Sequence, residues 1–98
     1  MSVAATSRTT PITTWYVYIL QCKDSSFYTG ITTDLARRVE EHNSSNKGAR
    51  YTRARRPVTL VYSETVENRS EASKRESAIK KLTRNDKIAL ISSQISKD

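Results

Sequence analysis

The sequence has very few residues that form covalent cross-links or bind structural metals. It contains one cysteine, Cys22, and one histidine, His42. A single cysteine can form no internal disulfide, which agrees with a reducing compartment. One cysteine and one histidine cannot supply the four ligands of a structural zinc site. The composition therefore excludes an internal disulfide and a structural zinc ion bound by this chain alone.

Long apolar runs are absent as well. No stretch approaches the roughly 20 apolar residues of a membrane span, and the N-terminal segment lacks the apolar core of a secretory signal. We therefore expect a cytoplasmic protein with no membrane contact, and the sequence indicates no obligate protein partner. Hydrophobic residues make up 36% of the 98 residues. That is enough for one domain with one modest core.

What the sequence has in excess is positive charge, with a net charge of +7. Residues 37–56 carry seven basic side chains against two acidic ones, and residues 74–87 carry six against two. The stretch between these two clusters has a net charge of −2. Two such clusters favour a positive face that contacts nucleic-acid phosphates. The alternative is a solvated basic surface without a ligand.

The hydrophobic pattern predicts strands and helices after a polar tail. Residues 1–14 are rich in Ser and Thr, so we expect a flexible tail followed by a single domain over residues 15–96. Gly30 is expected to end the second strand, and the polar loop before Pro57 could wrap a ligand. The predicted elements are strands at 15–20, 27–29 and 58–66, and helices at about 34–43, at 69–82 and near 88 onwards. This β-β-α-β-α-α order predicts an α+β fold with a small three-stranded antiparallel sheet flanked by helices.

Glu76 is unusual for its place in the predicted 69–82 helix, which Asn68 would cap. Its neighbours at i−4 and i+3 are Ala72 and Ile79, both core-type residues. Desolvating a carboxylate is costly unless it pairs with a cation or binds a metal. The pattern therefore leaves two interpretations open: a metal ligand, or an ion pair with Lys80 at i+4.

Four further polar side chains are candidates that the pattern alone does not decide. Tyr18 and Tyr28 lie on adjacent predicted strands, where a tyrosine usually packs with its hydroxyl at the rim. Arg38 carries the guanidinium that suits phosphate oxygens, or it is simply part of the basic surface. His42 follows one helical turn later and, taken alone, is more typical of a surface or cap position than of a catalyst.

The order and spacing of these residues resemble the GIY-YIG nuclease superfamily. The resemblance runs from the first predicted strand to the end of the 69–82 helix, and it is closest to a small, single-domain bacterial branch. Two departures from the family motif, at Tyr16 and Thr29, change strand packing and leave the reactive groups intact. The matching motifs are Tyr16-Val17-Tyr18, Tyr28-Thr29-Gly30, Arg38 with His42 at i+4, Lys47-Gly48-Ala49-Arg50-Tyr51-Thr52, and Ala72 with Glu76 at i+4.

This resemblance implies a phosphodiester hydrolase that depends on Mg²⁺ or Mn²⁺. Glu76 would anchor the metal ion. Tyr18 is the first choice for general base, with Tyr28 orienting or sharing the proton. A phenol with a pKa of about 10 needs a nearby cation to act as a base at neutral pH. Arg38 would hold phosphate oxygens, and His42 would orient a tyrosine hydroxyl or transfer a proton.

The basic loop would supply the contacts to nucleic acid, and DNA is expected ahead of RNA. Contacts to phosphates alone give weak sequence preference. Two other functions stay open: a module of the same fold that binds nucleic acid without cutting it, and a purely structural small domain. The expected nucleic-acid-binding residues are Lys47, Arg50, Tyr51, Arg53, Arg55 and Arg56.

Overall fold

The computed structural model of the chain describes residues 13–44 and 47–95. Most of the predicted N-terminal tail therefore lies outside the described residues. The described elements are β1 (Trp15–Gln21), β2 (Phe27–Thr32), α1 (Leu35–Ser44), α2 (Arg50–Arg53), β3 (Thr59–Val66), α3 (Arg69–Lys80) and α4 (Arg84–Ile95). The predicted order of strands and long helices is confirmed. No helix among the described residues is long and apolar enough to cross a membrane.

The three strands form one antiparallel sheet with β1 in the centre. The strand order is β2-β1-β3, and β1 pairs antiparallel with both neighbours. The predicted α+β fold with a three-stranded antiparallel sheet is thus confirmed. The central strand is apolar without interruption from Val17 to Leu20, and all four of these residues are buried. A strand with this pattern has both of its faces covered, because successive side chains point to opposite sides of the sheet.

Each face of the sheet has its own small core. On one face Val17 and Ile19 pack with Ala72 and Ile79 of α3. On the other face Tyr18 and Leu20 pack with Cys22 and Val58, and the partly buried Leu35 and Val39 of α1 lie against them. The sheet therefore separates α3 from α1, and Tyr18 points to the α1 side.

Two helices begin where the sequence places capping residues. The Asn68 side chain accepts a hydrogen bond from the Glu71 amide at 2.9 Å, and the Asp34 carboxylate accepts one from the Arg37 amide at 3.1 Å. Both contacts satisfy amides that have no partner within the helix. The predicted Asn68 cap is thus confirmed.

The prediction that Gly30 ends the second strand is wrong. β2 continues to Thr32, and Gly30 pairs with Tyr18 across the sheet. A Cβ at position 30 would lie 2.6 Å from the Tyr18 Cζ, so the glycine leaves the space that the tyrosine ring fills. The local rule that glycine interrupts a strand is overridden here by a tertiary contact.

The polar loop before Pro57 is also more ordered than predicted. It contains the short helix α2, whose residue Thr52 is fully buried. Gly48 lets this segment approach α1 closely, because a Cβ there would lie 2.7 Å from the Glu41 carbonyl oxygen and 2.8 Å from the His42 Cα. The segment therefore packs on the helix that carries His42.

Candidate active site

A buried hydrogen-bonded network joins β1, α1 and α2, and we call it the buried network: Tyr18, His42, Thr52 and the Ala49 carbonyl. The Tyr18 hydroxyl lies 2.9 Å from the His42 Nε2. The His42 Nδ1 lies 2.7 Å from the Thr52 Oγ1, and the Thr52 hydroxyl donates to the Ala49 carbonyl at 2.9 Å. Two residues that the sequence analysis paired only by motif are therefore in direct contact.

His42 is not the surface or cap residue that its position alone favoured. Its side chain is fully buried beneath the 47–52 segment. Burial lowers the pKa of His42 to about 4, and the Arg38 guanidinium acts in the same direction. His42 is consequently neutral at pH 7, with one ring nitrogen that accepts a hydrogen bond and one that donates.

Tyr18 is also protonated in this environment. Burial raises the pKa of Tyr18 to about 12, against the opposing effect of Arg38, and the charges of Tyr28 and Glu76 act with burial. Its ring is only 1% exposed. A phenol of this kind ionises only when a neighbouring group accepts its proton or added positive charge stabilises the phenolate.

Tyr28 lies beside the same histidine. Its ring centroid is 5.1 Å from that of His42, while the Tyr18 and His42 centroids are 5.9 Å apart. Tyr28 is half-buried, whereas Tyr18 is almost completely buried. Both predicted tyrosines therefore meet at His42, and Tyr28 is the more accessible of the two.

Arg38 lies beside the buried network, where two acceptors hold its side chain. Its Nη1 donates to the Glu41 carboxylate at 2.9 Å and to the Lys47 carbonyl at 2.9 Å. The hydrogen bond from Arg38 holds the pKa of the Glu41 carboxyl below its usual range. The Arg38 side chain is 26% exposed. A guanidinium that is fixed by two acceptors and still reaches solvent is placed to meet an incoming phosphate.

Glu76 occupies the predicted position on α3. Its side chain is 23% exposed, and its carboxylate pairs with Lys80 at 3.4 Å, so the ion pair that the sequence left open does form. Glu76 is also close enough to Tyr18 to influence its pKa. Among the described residues no three His, Cys, Asp or Glu side chains cluster to hold a metal. A Mg²⁺ ion at Glu76 would have this one protein carboxylate as a ligand, with waters and a phosphate as the others.

The predicted nucleic-acid-binding residues fall into two groups. Arg50 and Arg53 of α2 are exposed and form no ion pair with any residue that the structure describes, and Lys47 is exposed beside them. Arg55 and Arg56 instead cross-link the fold. Arg55 donates to Asp24 at 3.1 Å, and Arg56 donates to the His42 carbonyl at 2.6 Å.

The Tyr51 ring contacts two other side chains, those of Arg55 and Tyr28. The Arg55 guanidinium lies 3.8 Å from the centre of the Tyr51 ring, and the Tyr28 ring stacks on it with centroids 6.1 Å apart. Tyr51 is nevertheless 38% exposed. It therefore connects the basic segment to Tyr28 of the site.

Sequence reasoning missed Thr52 and the Ala49 carbonyl. Both belong to the segment Lys47-Gly48-Ala49-Arg50-Tyr51-Thr52, which was identified as a family motif and expected to contact nucleic acid. A threonine with no charge and no apolar periodicity around it gives no signal of its own. The one available signal was Gly48, because a glycine at this position permits the close approach to α1 that buries Thr52.

Known proteins resemble this chain over most of its length. Residues 14–89 match the family model described as the GIY-YIG catalytic domain. A UPF0213 protein of Desulfotalea psychrophila is 66% identical over 77 residues, which cover 79% of this chain and 70% of that protein. A UPF0213 protein of Clostridium perfringens is 58% identical over 83 residues, which cover 85% and 88%.

Two solved structures share the fold. The solution NMR structure of a UPF0213 protein from Bacillus halodurans has a TM-score of 0.55 and 45% sequence identity, with 86% of this chain and 88% of that chain covered. The solution NMR structure of a protein from E. faecalis has a TM-score of 0.59 and 45% identity, with 87% and 90% covered.

Proposed function

This chain belongs to the GIY-YIG domain family, and we propose that it is a Mg²⁺-dependent nuclease that hydrolyses phosphodiester bonds in nucleic acid, with DNA preferred to RNA. The observation that supports this most strongly is the 2.9 Å contact between the Tyr18 hydroxyl and the His42 Nε2. It couples a phenol to a neutral base, Arg38 lies close enough to hydrogen-bond with the phenol, and the charge of Glu76 reaches Tyr18.

The proton path begins at Tyr18. The Tyr18 hydroxyl passes its proton to the His42 Nε2 while its oxygen takes a proton from the attacking water, so that no free phenolate forms, and the negative charge of a bound phosphate favours the protonated His42. The oxygen of that water forms a bond to phosphorus while the bond to the leaving oxygen breaks, and the proton on His42 then passes through solvent to the leaving oxygen, which restores the neutral ring. Tyr28 is accessible enough to orient the water. General-base assistance of this kind contributes about 10²- to 10⁴-fold in rate.

Arg38 and Glu76 supply the charge that the reaction needs. Arg38 would donate hydrogen bonds to the phosphate oxygens, where negative charge builds up in the transition state. Glu76 would hold one Mg²⁺, or Mn²⁺, which when bound provides positive charge for the phosphoryl oxygens. For that role the Glu76 carboxylate must exchange Lys80 for the metal, which is feasible because exposed ion pairs are weak.

Substrate binding would come mainly from contacts to phosphates. Lys47, Arg50 and Arg53 present positive charge beside the buried network. Such contacts position a polynucleotide without reading its sequence. We therefore expect weak sequence preference and an affinity that falls steeply with salt.

A second candidate function is a module of the same fold that binds nucleic acid without cutting it. The observation that favours it is the ion pair between Lys80 and Glu76, which occupies the only carboxylate proposed for the metal. The two functions make different predictions for a cleavage assay with added metal.

The test is incubation of the purified protein with end-labelled single- and double-stranded DNA and RNA, each with Mg²⁺, with Mn²⁺ or with EDTA. A nuclease yields shorter products in Mg²⁺ and none in EDTA, with DNA cut faster than RNA. A binding module shifts the same substrates in a gel but leaves them intact in both conditions. Intact substrates with Mg²⁺ and with Mn²⁺ would overturn the nuclease proposal.

A further inference from the structure

The hydrogens of the buried network can be assigned by counting donors and acceptors. The Tyr18 hydroxyl is buried, and among the described residues the His42 Nε2 is its one hydrogen-bond acceptor. Because a buried O–H group almost always donates, Nε2 must carry a lone pair. A neutral imidazole with a bare Nε2 carries its hydrogen on Nδ1.

The rest of the network then has one consistent arrangement. The Nδ1–H group donates to the Thr52 Oγ1 at 2.7 Å, and the Thr52 hydroxyl passes its own hydrogen to the Ala49 carbonyl at 2.9 Å. The Ala49 amide points at Nδ1 from 3.5 Å, which is the longest contact of the group, and with hydrogen on Nδ1 it finds no acceptor there. Three hydrogens thus make three good hydrogen bonds.

From this arrangement we propose that Thr52 is a positioning residue, which holds the His42 ring with its hydrogen on Nδ1 and its Nε2 aimed at Tyr18 as an acceptor. The claim about the ring stands on geometry alone. Its consequence for cleavage rests on the proposed function, in which Nε2 receives the Tyr18 proton. An orienting group behind a catalytic base is a recurring requirement, because the base must present the correct nitrogen.

The contacts of the 47–52 segment hold the Thr52 hydroxyl in place. Gly48 lets the backbone approach α1, and the Lys47 carbonyl accepts from Arg38 at 2.9 Å. Thr52 itself is fully buried, and its amide also donates to the Ala49 carbonyl, at 3.1 Å. The motif that the sequence analysis considered for its charges therefore also orients the histidine.

Loss of the Thr52 hydroxyl has a specific consequence. The Ala49 carbonyl would keep two backbone donors, the amides of Thr52 and Arg53 at 3.1 Å each. The group left without a partner would be the His42 Nδ1–H. The ring can recover a hydrogen bond by moving its hydrogen to Nε2, because Nδ1 then accepts from the Ala49 amide. In that tautomer Nε2 can no longer receive a proton from Tyr18.

The chain has a single histidine, so the ring can be observed without ambiguity. In protein labelled with ¹⁵N-histidine, long-range proton–nitrogen correlation at pH 7 distinguishes a protonated Nδ1 from a protonated Nε2. We expect hydrogen on Nδ1 in the wild type and in Thr52→Ser, and a shift of the hydrogen to Nε2 in Thr52→Val. Thr29→Val serves as the matched control, because it removes another buried threonine hydroxyl that lies outside the network.

Cleavage should follow the tautomer. We expect Thr52→Val to cut about 100-fold more slowly, while Thr52→Ser and Thr29→Val stay close to the wild type. Hydrogen on Nε2 in the wild type, or an unchanged His42 spectrum in Thr52→Val, would overturn the proposal. The wild-type spectrum decides this even if Thr52→Val does not fold. If the tautomer shifts as expected but the wild type cuts no substrate, the positioning role is supported and the nuclease proposal alone fails.

Discussion

Gly30 lies directly opposite Tyr18 on the neighbouring strand, and the space above its Cα is filled by the tyrosine ring. We predict that Gly30→Ala displaces this ring, because the new Cβ would lie 2.6 Å from the Tyr18 Cζ. Overpacking of this kind costs about 1–3 kcal/mol of unfolding free energy. Urea denaturation measures that cost, and cleavage should fall with it because the hydroxyl moves away from His42. An alanine variant with wild-type stability and activity would show that the contact is unimportant.

Removal of the Tyr18 hydroxyl should abolish the proton path with little effect on folding. Tyr18→Phe keeps the ring in its core and removes one hydrogen bond, worth about 1 kcal/mol. Cleavage should fall by about 100-fold or more. Tyr16→Phe is the matched control, since Tyr16 lies two residues away on the same strand and is half-buried. Equal activity in the two variants would remove Tyr18 from the mechanism.

The buried His42 predicts how stability depends on pH. Its pKa falls from 6.5 to about 4 on folding, so between these values the unfolded chain binds a proton that the folded chain does not. Stability is then fully present above pH 6.5 and is lost as the pH falls toward 4. The loss amounts to roughly 2–3 kcal/mol. Denaturation curves at pH 7 and pH 4.5 measure it, and His42→Gln should show a smaller difference. An equal loss of stability between pH 7 and pH 4.5 in both proteins would mean that the pKa of His42 is the same in the folded and unfolded states.

The two groups of arginines should respond differently to substitution. Arg50→Ala and Arg53→Ala should each weaken DNA binding and reduce the slope of log affinity against log salt by about 1. Arg55→Ala should mainly lower stability, because Arg55 contacts Asp24 and Tyr51. Arg69→Ala is the charge-matched control on α3, because Arg69 is exposed and lies outside both basic clusters. A salt slope that falls equally in Arg69→Ala would indicate a general charge effect and no phosphate contact at α2.

The sequence predicted features that depend on local chemistry. The apolar run of β1 and the Asn68 cap follow from neighbouring residues, and both appear in the structure. Features that depend on distant contacts were not predictable. Gly30 is compatible with a strand because of Tyr18, and His42 is buried because the 47–52 segment folds over it.

Glu76 was likewise predictable only in the part that depends on neighbouring residues. Its apolar helical neighbours indicated a carboxylate that needs a partner, and the structure supplies Lys80 as one partner. Whether that carboxylate also binds a metal depends on the affinity of a site completed by waters and substrate.

The most direct measurement compares DNA cleavage in Mg²⁺ by the wild type, Glu76→Gln and Glu71→Gln. Glu71 is the matched control, because it lies on the same helix and pairs with Lys74 at 3.6 Å much as Glu76 pairs with Lys80. We predict that Glu76→Gln loses Mg²⁺-dependent cleavage while it still binds DNA, and that Glu71→Gln cuts like the wild type. Full Mg²⁺-dependent activity in Glu76→Gln would contradict the proposed metal site.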